Sequence, residues 1–184
     1  MEYKLWQYDQ WDCTLEQKAQ DLITTCPWWT KSIGGLSRNF YTSSIRSTSN
    51  PAVVVANILS LWWGRVREYG STDPENKYTN PALYNFANMA HSKTTGIGCA
   101  YKVCRGTRLT VMCLYNRIGY YTNSVMWEKG NACASDSECT TYPESTCSEG
   151  LCIKELEKPG KQVKEKKKTG HSGSIKCQGN NGSR

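Results

Sequence analysis

The sequence predicts an α+β domain, followed by a small disulfide-rich extension and a basic tail. Apolar residues recur at helical spacing in the first half of the chain and alternate at strand spacing between Ile97 and Tyr115. Ten cysteines among 184 residues are far more than a cytosolic chain of this length uses, and they are typical of disulfides in a secreted protein. We therefore expect helices packed on a sheet, with disulfides in the parts that lack a core.

The first helix is predicted within residues 12–27, where apolar residues recur every three or four positions. Thr14 and Gln17 have the spacing of a capping box, in which each side chain bonds to the backbone N–H of the other residue. Pro27 lacks the N–H that a further turn would need. We therefore expect an amphipathic helix that begins near Thr14 and ends before Pro27, and we expect the following Trp28 to be exposed.

A second, longer helix is predicted between Asn50 and Gly70. Asn is a preferred N-cap, the following proline suits the first helical position, and glycine commonly follows a helix C-terminus. The apolar face of this helix includes Trp62, which we expect in the core. A third helix is expected to begin in the same way, at Asn80 and Pro81.

The alternating segment consists of two runs on either side of "CRGT", residues 104–107. From Ile97 to Val103 and from Leu109 to Tyr115, every second residue is apolar or cysteine, as in strands with one buried face. Gly106 suits the tight turn between the two runs. The sequence therefore predicts a β-hairpin with "CRGT" at its tip.

The end of the chain divides into two regions of different composition. Residues 129–153 contain four cysteines and few large apolar residues, so we expect an extension held by disulfides rather than by a core. Residues 154–184 contain nine Lys or Arg against three acids and are expected to be flexible, although a disulfide from Cys177 to the body would close the lysines into a loop. The predicted regions are thus 1–128, 129–153 and 154–184.

Five stretches of the chain together indicate a family: "WDCTLEQKAQ", "WWGRVREYG", "TTGIGCAYKVC", "VMCLYN" and "CTTYPESTCSEGLC". In this order they resemble the CAP superfamily, which comprises the cysteine-rich secretory, antigen 5 and pathogenesis-related proteins. The resemblance covers residues 3–153 and is greatest to the secreted proteins of hookworms, in particular those that inhibit platelets. It implies a three-layer α-β-α sandwich with a cysteine-rich extension.

The resemblance also implies details of the chain's own residues. A disulfide between Cys113 and Cys133 is expected, because cysteines at these positions usually pair in the family. The first helix of the family would precede Tyr3, so we expect it to be missing. The apolar face that it covers would then be filled by Trp6 and Trp11, exposed, or buried against a partner.

Family members that bind a metal use two histidines and two glutamates in a central cleft. The three of these positions that can be matched here hold Asn85, Arg38 and Arg65. Two arginines would repel a divalent cation, so we expect no metal and no cofactor. His91 lies six residues beyond the expected histidine, on another face of the helix, and is expected to be half-buried or exposed without a chemical role. His171 lies in the tail, where a general base would not be held in place.

These substitutions imply that the chain is not an enzyme, and the family branch implies a secreted antagonist of a host cell-surface receptor, with integrins as the first candidates. The candidate receptor contacts lie at the predicted hairpin tip and in the "HSKTT" stretch: Arg105, Gly106, Thr107, Lys93, Thr94 and Thr95. A simpler explanation stays open, because a glycine at a hairpin tip needs no reason beyond the turn.

Two alternatives remain open. The composition of the tail fits either a solvated linker or a segment whose lysines bind sulfated glycans and other polyanions by counterion release. The lysines concerned are Lys161, Lys164, Lys166, Lys167 and Lys168. Family resemblance also implies a carrier of lipid or sterol as an alternative function.

We expect no nucleic-acid partner, because no aromatic base-stacking surface is evident. No apolar run is long enough to span a membrane, and no signal segment is evident, as in a mature secreted chain.

Overall fold

The structure is a computed structural model, and it describes residues 10–46, 48–70, 73–127, 130–154 and 172–174. Within these ranges it contains three α-helices and seven strands. In chain order they are β1 (Gln10–Trp11), α1 (Cys13–Ile23), β2 (Ser37–Ser44), α2 (Pro51–Tyr69), α3 (Tyr84–Ala90), β3 (Gly96–Cys104), β4 (Arg108–Tyr115), β5 (Thr146–Ser148), β6 (Leu151–Ile153) and β7 (Ser172–Ser174). Single 3₁₀ turns occur at Pro81–Leu83 and Asp136–Glu138.

The central sheet has the strand order β1-β3-β4-β2, with β7 paired to β3. β4 is antiparallel to both of its neighbours, and the short β1 is parallel to β3. Helix α1 packs on one face of the sheet, through Leu15, Ala19 and Ile23. Helix α2 packs on the other face, through a cluster that includes Ile58 and Trp62. The predicted three-layer α-β-α sandwich is therefore confirmed.

The predicted hairpin is confirmed, with both strands buried on both faces. One set of side chains in β3 and β4 packs against α2: Ile97, Cys99, Tyr101, Val103, Leu109, Val111, Cys113 and Tyr115. The intervening Ala100, Met112 and Leu114 pack against α1. A Cβ at Gly98 would lie 2.1 Å from the backbone nitrogen of Glu16, so only glycine allows α1 to approach β3 this closely.

The helix ends agree with the sequence in α2 and at Asn80, where the third helical segment begins, and they differ in α1. Asn50 caps α2 and Gly70 follows its last residue, as predicted. In α1 the cap is Asp12, whose carboxylate accepts from the N–H groups of Thr14 and Leu15, so the predicted Thr14 capping box is wrong. Asp12 is also a good N-cap residue and lies two positions earlier. The third helix begins with a 3₁₀ turn after Asn80.

Nine of the cysteines are described, and all of them form disulfides. The pairs are Cys26–Cys104, Cys99–Cys113, Cys133–Cys147 and Cys139–Cys152, while Cys13 is also disulfide-bonded. The expected Cys113–Cys133 pair is wrong, because the register of the hairpin places Cys99 directly opposite Cys113, with their Cα atoms 4.1 Å apart. The predicted tether at Cys177 lies outside the described residues.

Strand β2 is a feature that the sequence analysis does not predict. Its residues are mostly polar, yet all eight pair with β4, and Ser37 and Asn39 are buried. Trp11 packs against the cluster between the sheet and α2, whereas Trp6 lies outside the described residues. None of the described helices is both long and apolar enough to cross a membrane.

Candidate functional site

Two of the three residues predicted to occupy family metal positions, Arg38 and Arg65, have side chains engaged in other contacts. Arg38 of β2 donates to the carbonyl oxygen of Thr30 over 2.8 Å. Arg65 of α2 forms a salt bridge of 3.0 Å with Glu68, and its guanidinium lies 5.6 Å from the ring centre of Tyr69. These two arginines bring positive charge, and a guanidinium group has no lone pair with which to coordinate a metal cation.

A network of amides and a phenol lies beside Arg38. The Asn39 side-chain amide donates to the Tyr115 hydroxyl, 3.1 Å away, and to the backbone oxygen of Asn85, 2.9 Å away. Asn88 in turn donates to the side-chain oxygen of Asn39 over 3.0 Å. Neutral amides and guanidinium groups offer neither the imidazole nor the carboxylate ligands that a divalent metal requires, so these residues do not fit a metal.

The hairpin tip is the first of the predicted receptor sites, and all three of its residues are exposed: Arg105, Gly106 and Thr107. Arg105 and Gly106 have φ angles of 51° and 74°, so these two of the three turn residues adopt the left-handed conformation. The disulfide Cys26–Cys104 links the residue before the tip to the segment that follows α1. The tip is therefore exposed and held in place.

An aromatic and cationic surface lies beside the tip. Trp28 and Trp29 are 71% and 66% exposed, as we expect for Trp28 from its position after Pro27. The Arg108 guanidinium lies 3.9 Å from the ring centre of Trp28 and donates to the backbone oxygen of Cys26. Trp28, Arg105, Thr107 and Arg108 share a groove of about 550 Å³. We call this groove and the tip the tip surface.

The "HSKTT" stretch, the second predicted receptor site, presents one of its three candidates. Lys93 is exposed, whereas Thr94 is completely buried and therefore unable to contact a partner, against expectation. Thr95 is half-buried, and its hydroxyl accepts from the Asn116 amide over 2.6 Å. These threonines fix the loop before β3, because Asn116 also accepts from the backbone N–H groups of Thr95 and Gly96.

A cavity of about 610 Å³ opens beside Lys93, at the end of the β3–β4 hairpin opposite the tip. It is lined by Gly35, His91, Ser92, Lys93, Arg117, Ile118, Tyr121, Ser124 and Val125. His91 is half-buried, and its Nδ1 lies 3.3 Å from the Thr94 hydroxyl. Burial, followed by the charges of Lys93 and Arg117, lowers the pKa of His91 to about 4. His91 is therefore neutral at pH 7. We call this the basal cavity.

The sequence analysis predicts some of these features and not others. The alternation and the glycine locate the tip, but nothing in the chain indicates that Trp28 meets Arg108 across 80 residues of sequence. The basal cavity draws on three separate loops, so its members Arg117 and Tyr121 carry no local signal. The predicted polyanion site, Lys161 to Lys168, lies outside the described residues.

Comparison with known proteins gives consistent results. The model of the cysteine-rich secretory protein (CAP) family matches residues 8–115. The "Ancylostoma secreted protein" of Ancylostoma caninum is 42% identical over 175 residues, which are 95% of this chain and 40% of that protein. The chain thus spans less than half the length of this curated relative.

Two solved structures are similar over most of the chain. That of Na-ASP-1 has 44% identity and a TM-score of 0.74, and the match covers 86% of this chain and 38% of the other. That of the hookworm platelet inhibitor has 24% identity and a TM-score of 0.60, with coverages of 85% and 81%. At 24% identity, the similarity to the hookworm platelet inhibitor shows a shared fold.

Proposed function

Since the chain belongs to the cysteine-rich secretory protein (CAP) family, we propose that it is an extracellular, non-enzymatic antagonist of a host cell-surface adhesion receptor. Platelet integrins are the first candidate receptors, because a hookworm protein named as a platelet inhibitor shares the fold. A named secreted relative with 42% identity supports the extracellular location. The arginines at the family's metal positions support a function without metal-assisted catalysis.

The observation that carries this proposal is the tip surface. Receptor binding sites are enriched in exposed Trp and Arg, and they gain affinity when the binding loop is held before contact. Trp28 is 71% exposed, and the exposed Arg105 lines the same groove. The Cys26–Cys104 disulfide links the two segments that carry these residues. These features are typical of a small, ordered contact surface.

The charge of the tip surface indicates the chemistry of its partner. Arg105 and Arg108 line the groove, no acidic side chain does, and Lys102 lies nearby, donating to the carbonyl oxygen of Thr24. Two arginines beside an exposed tryptophan favour a partner that offers carboxylates together with an apolar or aromatic side chain. An acidic surface on the extracellular part of a receptor meets both requirements.

The direct test is the binding of fluorescently labelled protein to resting and activated platelets by flow cytometry. The proposal predicts saturable binding that is abolished by EDTA, which removes the divalent cations of integrins. It also predicts a loss of about tenfold in affinity for Arg105→Met. Arg67→Met is the matched control, because it removes an exposed arginine from α2 and should bind within twofold of the unchanged protein.

Three other outcomes would overturn parts of this proposal. Binding that survives EDTA but disappears at high salt would assign recognition to the lysine tail instead. Equal losses for Arg105→Met and Arg67→Met would exclude the tip surface. Absence of binding to either platelet state would exclude platelet integrins.

A lipid or sterol carrier is the second candidate, and the outer face of α2 favours it. Val53 and Leu61 are 57% and 62% exposed there, and Trp63 is 40% exposed. Exposed apolar side chains on one helix are unusual unless a ligand or partner covers them. Extraction of the purified protein with organic solvent, followed by mass spectrometry, tests this function. A stoichiometric lipid that is reduced in Leu61→Asn would support it, and an extract without lipid would reject it.

A further inference from the structure

The basal cavity contains three basic side chains and no acidic one. Of its lining residues, His91, Lys93 and Arg117 carry basic groups. The ion pairs within the described part of the chain join Arg65 to Glu68, Lys77 to Glu75 and Lys154 to Glu144. Lys93 and Arg117 thus take part in none of these pairs, although positive charges that face one cavity are stabilised by an anion.

The lining of the basal cavity also includes apolar side chains. Ile118 and Val125 contribute aliphatic side chains and Tyr121 an aromatic ring, and Tyr121 is 58% exposed. A volume of about 610 Å³ is within the range of small-molecule sites and exceeds what a single inorganic ion fills. A ligand that is charged at one end and apolar at the other would match both kinds of lining residue.

The cavity is also held in shape by buried contacts. The Ser92 backbone N–H donates to the carbonyl of Met126 over 2.8 Å, and the Ser37 hydroxyl donates to the carbonyl of Arg117 over 2.6 Å. A Cβ at Gly119 would lie 2.2 Å from the Ala87 carbonyl oxygen, so the loop that carries Arg117 is packed directly on α3. The basic side chains are therefore mounted on an ordered frame, as ligand sites require.

We propose that the basal cavity binds a small organic anion, whose phosphate, sulfate or carboxylate group contacts Lys93 and Arg117 and whose apolar body packs on Tyr121. The site is separate from the tip surface and does not depend on the proposed receptor function. His91 adds a neutral imidazole at the headgroup. The charges that face this ring from the adjoining loops are those of Lys93 and Arg117, and both lower its pKa. An anion beside them would therefore raise the pKa of His91.

Phenyl phosphate is the probe for this site, used with the full chain in isothermal titration calorimetry and in NMR of the histidine rings. We expect saturable binding to one site and an upward shift of the His91 pKa. His171, the other histidine of the sequence, serves as the internal reference and should not change. Phenol and inorganic phosphate, the two halves of the probe, should each bind at least about tenfold more weakly. Benzoate then shows whether a carboxylate can replace the phosphate.

Substitutions locate the site. Lys93→Met and Arg117→Met should each weaken phenyl phosphate binding about tenfold. Arg105→Met, at the other end of the hairpin, should bind within twofold of the unchanged chain. Absence of both heat and a His91 shift would overturn the proposal. So would phenol binding as tightly as phenyl phosphate, or an equal loss in Arg105→Met. The His91 shift is measured on the unsubstituted protein, so the test stands even if a variant fails to fold.

Discussion

At one end of the β3–β4 hairpin the chain turns through three exposed residues, and at the other end the strands lead into loops that enclose a cavity. The nine residues of β3 separate the two ends by about 26 Å. The tip surface carries exposed tryptophan and arginine, as protein-binding surfaces do. The basal cavity is concave, as small-molecule sites are, and is lined by the half-buried His91 and the exposed Lys93 and Arg117. One rigid hairpin can thus present two different kinds of site.

The largest expected effect on stability comes from removing the Cys26–Cys104 disulfide beside the tip. The double variant Cys26→Ala/Cys104→Ala opens a disulfide with a sequence separation of 78 residues, and we expect it to lower the free energy of unfolding by about 4 kcal/mol. Urea unfolding followed by circular dichroism measures this. The control is Cys133→Ala/Cys147→Ala, whose disulfide belongs to a separate small cluster in the extension. An unchanged urea midpoint for Cys26→Ala/Cys104→Ala would show that this disulfide does not stabilise the fold.

The substitution Gly98→Ala acts on the strand that joins the two ends. Its Cβ would lie 2.1 Å from the Glu16 nitrogen and 2.5 Å from the Leu15 carbonyl carbon, and backbone atoms of a packed helix cannot move aside locally. We expect a loss of about 3 kcal/mol in the free energy of unfolding, with both ends affected. Gly34→Ala is the matched control, since a Cβ there meets nothing within 4 Å. Equal stability of the two variants would contradict the close packing of α1 on β3.

At the basal cavity, a dependence of stability on pH is expected in the acidic range. The pKa of His91 is about 4 in the folded protein, below the ordinary 6.5, so the unfolded chain takes up a proton at a higher pH than the folded chain does. Above pH 6.5 the neutral His91 makes its full contribution to the free energy of unfolding. This contribution is lost as the pH falls toward 4. Its size is about 2 kcal/mol when partial solvent exposure is allowed for.

Urea unfolding at pH 7, 5.5 and 4 tests this dependence in the unchanged protein and in His91→Gln. The glutamine variant should lose less stability between pH 7 and pH 4, and His171→Gln should behave like the unchanged chain. Parallel pH profiles for all three proteins would show that His91 titrates normally in the fold.

The smallest effect on stability is expected for Trp28→Ala, at the tip surface. Since Trp28 is 71% exposed, its loss should change the free energy of unfolding by less than about 0.5 kcal/mol, despite the contact with Arg108. Platelet binding should nevertheless fall about tenfold, because exposed tryptophans dominate many interfaces. Tyr121→Ala, an exposed aromatic at the opposite end, is the control for binding. A loss of binding in the control alone would move the receptor site to the basal end.

The elements with a strict periodic pattern are those that the sequence predicts well. Alternation from Ile97 to Tyr115 predicts the hairpin and its buried face, and the caps Asn50 and Gly70 predict the limits of α2. Strand β2 has no such pattern, because its polar residues Ser37 and Asn39 are buried through hydrogen bonds to other parts of the chain. Local sequence does not encode those partners.

The sites are predictable only where one segment forms them. The tip is encoded within residues 104–107, and it is found where the sequence places it. The pairing of Cys99 with Cys113 depends on the strand register, and the burial of Thr94 depends on packing around the loop. The basal cavity requires the approach of loops around Gly35, His91 and Arg117. Contacts of this kind arise from the tertiary fold and have no signature in a single stretch of sequence.

The measurement that tests the central claim most directly is platelet binding by three labelled proteins in parallel: the unchanged chain, Arg105→Met and Lys93→Met. Both substitutions remove one exposed positive charge, so a purely electrostatic attachment would respond to them equally. We expect Arg105→Met to bind about tenfold more weakly and Lys93→Met to bind within twofold of the unchanged chain. Equal binding of the two variants would contradict the assignment of receptor recognition to the tip surface.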